Sequence, residues 1–259
     1  MLSSQARELA EIAWEAGKLI LDHYGGQVEA RSKSDSSPVT IADEEAEALI
    51  LARLRALWPQ IPVVAEEEVA AGRRIEVGQH FFLVDPLDGT KEFLNRNGEF
   101  TVNIGEIRDR SPIRGVVYAP AQGRMWIGDG PNGAVTLGVR SDVRPDLSSA
   151  VSIRARRPPA DGMIAVASRS HRDSKTDEYL AHYPIKDFLA AGSSLKFCLV
   201  AAGSADIYPR HGTTMEWDTA AGHAVLAAAG GRVETLDGAP LLYGKPNYQN
   251  PYFVARGPG

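Results

Sequence analysis

Two carboxylates and a hydroxyl fall within the six-residue run Asp85-Pro86-Leu87-Asp88-Gly89-Thr90. The run follows Phe81-Phe82-Leu83-Val84, an apolar stretch suited to a buried strand, and Pro86 is expected to stop that strand after Asp85. Gly89 can take backbone angles that other residues avoid, so a turn is one sufficient account of the stretch and a metal or phosphate site is the other. A second apolar run, residues 61–65, leads into Glu66-Glu67-Glu68. Three successive acids commonly form a solvated loop, but if the two strands are neighbours, both acid groups face one cleft. Asp218, in Glu216-Trp217-Asp218-Thr219, is placed to N-cap an alanine-rich helix. A helix N-terminus carrying a carboxylate could equally hold a metal–phosphate pair. Asp43 sits in the first turn of a helix that Thr40 would cap, where the helix dipole accounts for its charge.

If Glu66, Glu67, Asp85, Asp88 and Asp218 converge, they cannot all stay ionised without strong counter-charge. Hard oxygen donors select Mg2+, Mn2+ or Ca2+ over zinc or copper. Two such ions suit phosphate-ester hydrolysis, one acidifying the attacking water and the other holding the leaving oxygen. Thr90 would then orient the water or its base, and Gly89 would let backbone amides approach the phosphate. Two other chemistries fail on spacing. The Asp-x-Asp-Gly-Thr run of phosphatases that form an aspartyl phosphate needs its acids one residue closer than Asp85 and Asp88, and no Gly-x-Ser-x-Gly nucleophile elbow is present. His23, His80, His171, His182, His211 and His223 show no metal-ligand spacing.

The elements that must position these groups can be read in order. Leu9, Ile12, Ala13, Ala16, Leu19 and Ile20 recur at helical spacing, with Gly25-Gly26 as a stop. A short strand is expected over 28–33, a polar turn over 34–38, and a helix from Thr40 to Trp58, before Pro59. Residues 100–107, 113–118, 124–127 and 134–139 read as an antiparallel meander. After Arg140 the pattern changes to strands over 163–168, 185–190 and 205–208 with helices over 175–181 and 194–202, an α/β half with partly parallel strands. The expected division is an N-terminal α+β half, residues 1–140, carrying most of the acids, and a C-terminal α/β half, residues 141–259, carrying Asp218.

The 259 residues are 44% hydrophobic and 24% charged, the composition of a globular chain rather than a disordered one. A net charge of -5 offers no broad cationic surface for a nucleic-acid polymer or an acidic membrane, though a small phosphorylated ligand can be met by local cations. Cys198 is the only cysteine, which excludes a disulfide framework or thiolate zinc cluster. Neither a signal-peptide pattern nor a run of membrane-spanning length is present, and a reducing cytoplasm fits best.

Together, Asp85-Pro86-Leu87-Asp88-Gly89-Thr90, Trp217-Asp218-Thr219-Ala220-Ala221-Gly222 and Ala65-Glu66-Glu67 resemble the signatures of the inositol monophosphatase superfamily. Its members are metal-dependent, lithium-sensitive phosphatases, and the resemblance spans nearly the whole chain. It implies a layered α/β (α+β) sugar-phosphatase fold, an antiparallel half joined to a mixed half with the active site between them. Carried over by motif position, Glu66, Asp85, Asp88 and the Leu87 carbonyl resemble ligands of one Mg2+, and Asp88 and Asp218 ligands of a second. Mn2+ is an alternative ion, and Asp43 matches a position tied to a third, weaker ion. Glu66 and Thr90 would activate the water, the Gly89 and Thr90 amides would hold the phosphate, and Glu67 would support them. The implied reaction is direct in-line attack by water.

Within the superfamily, Asp88-Gly89-Thr90-Lys91-Glu92-Phe93, residues 96–104, Gly192-Ser193-Ser194-Leu195-Lys196-Phe197-Cys198 and Tyr208-Pro209-Arg210 look like the 3'(2'),5'-bisphosphate nucleotidases. These convert adenosine 3',5'-bisphosphate to AMP and phosphate. A second phosphate requires cations or hydroxyls outside the metal centre, and Ser193, Ser194, Lys196, Arg210 and the turn Ser168-Arg169-Ser170-His171 are candidates. Glu216 adds an acid that could alter substrate preference or point to solvent. An inositol or sugar-phosphate phosphatase is the alternative substrate reading, and a catalytically silent metal- or nucleotide-binding protein is the non-enzyme reading. The resemblance also allows a homodimer and peripheral contact with the inner membrane.

Overall fold

The computed structural model describes residues 1–26, 30–32, 38–168 and 174–259. The chain forms α1 (Ser4–Tyr24), β1 (Ala30–Ser32), β2 (Pro38–Thr40), α2 (Ile41–Leu57), β3 (Val63–Ala65), α3 (Glu66–Ala70), β4 (His80–Asp88) and α4 (Thr90–Leu94). The meander follows as β5 (Thr101–Arg108), β6 (Ser111–Ala119), β7 (Arg124–Asp129), β8 (Ala134–Gly138) and β9 (Val151–Ile153). The remainder is β10 (Met163–Ser168), α5 (Ser174–Leu180), β11 (Ile185–Ala191), α6 (Leu195–Ala201), β12 (Ile207–Arg210), α7 (Glu216–Ala228), β13 (Arg232–Thr235) and β14 (Phe253–Arg256). Part of the strand expected over 28–33, most of the expected turn over 34–38, and Arg169, Ser170 and His171 lie outside the described residues.

β3 to β9 form a seven-stranded sheet in chain order, parallel only between β3 and β4. A five-stranded sheet has the order β11-β10-β12-β14-β13, with β10 parallel to β11 and to β12. Successive residues of β4 face opposite sides, and both sides are buried. Phe82 and Val84 join Leu9, Ile12 and Ile50 of α1 and α2 in one core, whereas Phe81 and Leu83 join Phe197, Val225 and Phe253 in another. A smaller cluster packs Leu180 of α5 against Ala165, Ile207 and Val254 on the outer face of the five-stranded sheet. The layers run α1/α2, large sheet, α6/α7, small sheet, α5, the layered mixed α/β architecture expected above.

The central layer is set by unusually close packing. Gly105, Gly115 and Gly128 are paired across β5, β6 and β7, so that they form one row over the sheet. A Cβ at these positions would lie 2.7 Å from Ala220 Cβ, 2.5 Å from the Ala221 carbonyl oxygen and 2.5 Å from the Ala224 carbonyl oxygen. The backbone of α7 thus lies directly in a trough of bare strand, and its own small side chains fit the same space. Three expectations at the acids need correction. Pro86 does not end its strand, since β4 continues to Asp88. Glu66-Glu67-Glu68 is the first turn of α3 rather than a solvated loop. Asp218 is the third residue of α7, whose N-cap is Met215.

A side chain in the trough must push α7 off the sheet. Gly115→Val is expected to cost about 1–3 kcal/mol or more in urea unfolding. Gly138→Ala in β8, where an added Cβ meets nothing within 4 Å, should change stability by less than about 0.5 kcal/mol.

Candidate metal centre

The parallel pairing of β3 with β4 sets Ala65 opposite Val84, so Glu66 and Asp85 leave neighbouring strands side by side. Residues three apart on a regular strand face opposite ways, yet Asp85 and Asp88 serve the same end of the sheet. The reason is a bulge: β4 takes three steps from Asp85 to Asp88 while β5 takes two, from Asn103 to Thr101. Pro86 sits inside this irregularity, where it has no N–H to leave unpaired. Asp85 is buried and its Oδ1 accepts the Leu87 N–H at 3.1 Å, which holds the turn of the bulge. From the other side comes Asp218, whose Oδ2 accepts the Met215 N–H at 2.7 Å and closes the first turn of α7. One carboxylate oxygen each of Glu66, Asp85 and Asp218 lie within 4.8 Å of one another.

Asp88 lies beside this trio, half-buried. The Asn103 amide donates to its Oδ2 at 3.2 Å, and the Ser194 hydroxyl lies 3.1 Å from the same oxygen and 2.9 Å from the Asp218 carbonyl. Burial pushes the Asp88 carboxyl above its ordinary range, opposed by the Lys196 charge and by the Ser194 and Asn103 hydrogen bonds. Burial pushes Asp218 higher still, and the Asp88 and Glu66 charges add to the effect. A desolvated, all-oxygen donor set short of positive charge fits a hard divalent cation.

Thr90 opens α4, and its hydroxyl donates to Asp43 Oδ1 at 3.1 Å, with the Leu87 carbonyl at 3.4 Å. The other Asp43 oxygen accepts the Thr40 N–H at 2.8 Å and the Thr40 hydroxyl at 2.6 Å. The buried Asp43 therefore joins the start of α2 to Thr90, while the close trio of carboxylates is made by Glu66, Asp85 and Asp218. Gly89 precedes Thr90 with φ +94°, and a Cβ there would lie 2.3 Å from Ser193 Oγ. That oxygen is 2.8 Å from the Asp88 carbonyl and 2.7 Å from the Glu99 carbonyl, and it couples the turn after β11 to the turn after β4.

A cavity of about 290 Å3 is lined by Glu66, Asp88, Gly89, Thr90 and Asp218 together with Ser193, Lys196, Tyr208 and Arg210. Of the expected substrate contacts, Ser194 is 1% exposed and faces Asp88 rather than the cavity. Lys196 is also buried, and its Nζ donates to the Ser193 carbonyl at 2.5 Å beneath the Tyr208 ring. Burial lowers the Lys196 ammonium to about 8, against the attraction of Asp88. Arg210 lines the cavity with a buried Nε that has no partner among the described residues. Glu216 neither lines the cavity nor faces solvent. It is fully buried, its oxygens accept the Gly244 and Lys245 N–H groups at 2.9 Å each, and Lys245 Nζ lies 2.6 Å away.

Two residues around the acids went unmarked in the sequence reading. Asn103 reaches Asp88 only through strand pairing. Glu47, one turn beyond Asp43 on α2, accepts the Glu67 and Glu68 N–H groups at 2.7 and 2.8 Å, and burial pushes its carboxyl up to about 7. A signal for Glu47 existed: the buried stripe of α2, Ala42, Asp43, Ala46, Glu47, Ile50, Leu51 and Leu54, is interrupted by two acids four residues apart.

The layered fold and the oxygen-rich cleft fit a metal-dependent phosphatase. Residues 2–252 match the inositol monophosphatase family, and the chain belongs to that family. It is 44% identical over 250 residues to the 3'(2'),5'-bisphosphate nucleotidase CysQ of Escherichia coli, covering 95% of this chain and 97% of that one. The nucleotidase CysQ of Haemophilus influenzae is 32% identical over 248 residues, covering 95% and 90%. The crystal structure of CysQ from Bacteroides thetaiotaomicron superposes with a TM-score of 0.82 at 36% identity, over 98% of this chain and 97% of the other.

Because the fold raises the Asp88 and Asp218 carboxyls, it favours their neutral forms. The stability this gives is complete below the ordinary carboxyl range and is lost as pH rises through the raised values. In EDTA, Asp88→Asn should therefore match the wild type in melting temperature near pH 4 and exceed it increasingly towards pH 8. Calorimetry at both pH values checks this, and equal melting temperatures at pH 8 would refute it.

Proposed function

We propose that the protein is a metal-dependent 3'(2'),5'-bisphosphate nucleotidase that hydrolyses adenosine 3',5'-bisphosphate to AMP and inorganic phosphate. The observation that carries this reading is the convergence of Glu66, Asp85 and Asp218 beside Asp88, next to a threonine hydroxyl already bonded to a buried carboxylate. Similarity to the CysQ nucleotidases over nearly the full length supports the substrate class. In this reading the acids sit mostly in an N-terminal half, residues 1–140, and Asp218 comes from a C-terminal half, residues 141–259.

Glu66, Asp85, Asp88, Asp218 and the Leu87 carbonyl would hold two Mg2+ ions, with Mn2+ as a substitute and Asp43 the position tied by resemblance to a third. Bound there, the metal supplies positive charge at the phosphate and acidifies the attacking water. The Thr90 proton rests towards Asp43 Oδ1, which leaves a lone pair on Oγ1 to accept a proton from the water. Glu66 faces the water from the other strand end, with Glu67 behind it in α3. The Gly89 and Thr90 amides hold the phosphate oxygens through the turn that Gly89 permits. Water attacks phosphorus in line and gives its proton to Thr90 Oγ1 as Thr90 passes its own to Asp43. The bond to the 3'-oxygen breaks, and that oxygen takes a proton from a solvent water as Asp43 returns its proton to solvent. Arg210, whose Nε has no partner among the described residues, is the cation for the second phosphate. Lys196 supports Ser193 from below, and Ser194 orients Asp88. Cytoplasmic residence suits a chain with one cysteine, and the reading is compatible with a homodimer and with peripheral contact at the inner membrane. Among the described residues no helix is long and apolar enough to cross a membrane.

The decisive experiment is phosphate release from adenosine 3',5'-bisphosphate, inositol 1-phosphate and fructose 1,6-bisphosphate, compared side by side. The bisphosphonucleotide should be fastest, EDTA should abolish turnover, and Mg2+ should restore it. Equal or faster turnover of inositol 1-phosphate would transfer the reading to an inositol phosphatase. Loss of the Thr90 hydroxyl in Thr90→Ala should reduce kcat by about 10^2 to 10^4, with Thr90→Ser retaining most of it.

A further inference from the structure

The helix that begins with Glu66 is fixed by very little hydrophobic packing. α3 has five residues, none of them fully buried, and Val69 alone packs against the core, too little apolar contact to fix its first turn. Its first turn is instead held by a carboxylate from another helix. Glu47, 4% exposed on α2, accepts the Glu67 and Glu68 N–H groups, one on each oxygen. Glu47 lines a groove on the far side of that turn, with Glu44, Leu51, Arg55, Glu67 and Glu68, whereas Glu66 lines the catalytic cavity. The first turn of α3 thus stands between Glu47 and the site. One turn earlier on the same face of α2, Asp43 accepts the Thr90 hydroxyl. Positions four apart on a helix are stacked neighbours, so a single rigid element grips both the acid-bearing turn after β3 and, through Thr90, the turn that follows β4.

We propose that Glu47 is a positioning residue for the metal centre, holding the first turn of α3 so that Glu66 is presented to Asp85 and Asp218. The inference rests on the reading of those carboxylates as metal ligands. Glu47 touches neither the cavity nor the reacting atoms, so its effect passes through Glu66 and must appear first in metal affinity. Residues behind a metal site typically change affinity by about 10- to 100-fold when removed.

The test measures Mn2+ binding by electron paramagnetic resonance, Mg2+ activation of phosphate release, and melting temperature, for the wild type, Glu47→Ala and Glu47→Gln. Asp206→Ala is the control, because Asp206 is a fully buried carboxylate that accepts the Ile164 N–H at 2.7 Å and pairs with Arg156 outside the metal cluster. Glu47→Ala should weaken Mn2+ binding and raise the Mg2+ needed for half-maximal activity by about 10- to 100-fold, with a smaller fall in kcat at saturating metal. Glu47→Gln, which keeps one good acceptor, should fall between it and the wild type. Asp206→Ala should lower the melting temperature and leave Mn2+ affinity unchanged. If Glu47→Ala does not fold, an undiminished Mn2+ affinity in Glu47→Gln overturns the proposal. Equal losses of affinity in Glu47→Ala and Asp206→Ala also overturn it, since both would then reflect general loosening. A wild type that binds no Mn2+ overturns the metal centre and this role with it, whereas a wild type that binds normally alongside unaffected Glu47 variants overturns this role alone.

Discussion

The contact between α7 and the bare backbone of β5, β6 and β7 is the constraint on which the rest of the molecule depends. A helix resting on ordinary strand side chains stands about 10 Å from the sheet, and here three aligned glycines remove the side chains beneath it. The first turn of α7 is thereby brought down to the strand ends, where Asp218 meets Glu66 and Asp85. The same helix forms the middle layer with α6, so both sheets inherit their separation from it. Alanine is the natural residue on its contact face because larger side chains would cancel what the glycines provide.

The treatment of charge differs sharply between structural and site acids. Asp129 is buried, yet its carboxyl is held below the ordinary range despite desolvation, because Ser3, Asn132 and Arg114 all donate to it. Asp206 is handled likewise by Arg156 and the Ile164 amide. Asp88 and Asp218 receive fewer donors and more like charge, and both carboxyls are raised. Counter-charge meets Asp129 and Asp206, whereas Asp88 and Asp218 are left short of it, the condition under which a divalent cation would be favoured. Such a cluster destabilises the metal-free fold and is tolerated because the rigid layers around it hold it in place.

Much of the site was legible in the sequence because its chemistry resides in residue types at strand and helix ends. The run from Phe81 to Thr90, the acids after Ala65 and the capped helix at Thr40 each announce themselves locally, and their elements form close to where expected. The errors share a cause. Pro86 reads as a stop because proline lacks an N–H, but a bulge needs none at that position. Asp218 reads as an N-cap because aspartate suits that position, but it is the third helical residue and reaches back to the N–H of the N-cap Met215. Local rules identified the special residue and misjudged its place in the element.

The sequence alone determined that this protein carries carboxylates at the ends of apolar strands, a helix made of small residues and a single cysteine. Only the tertiary structure decided that these acids meet, that Asn103 and Ser194 hydrogen-bond to Asp88, and that Glu47 takes the amides of Glu67 and Glu68. The physical reason is range. Capping, turn formation and burial periodicity act over a few residues and are written in short stretches of chain. Desolvation, like-charge repulsion and the alignment of Gly105, Gly115 and Gly128 arise only when strand register brings distant residues within a few ångströms of one another.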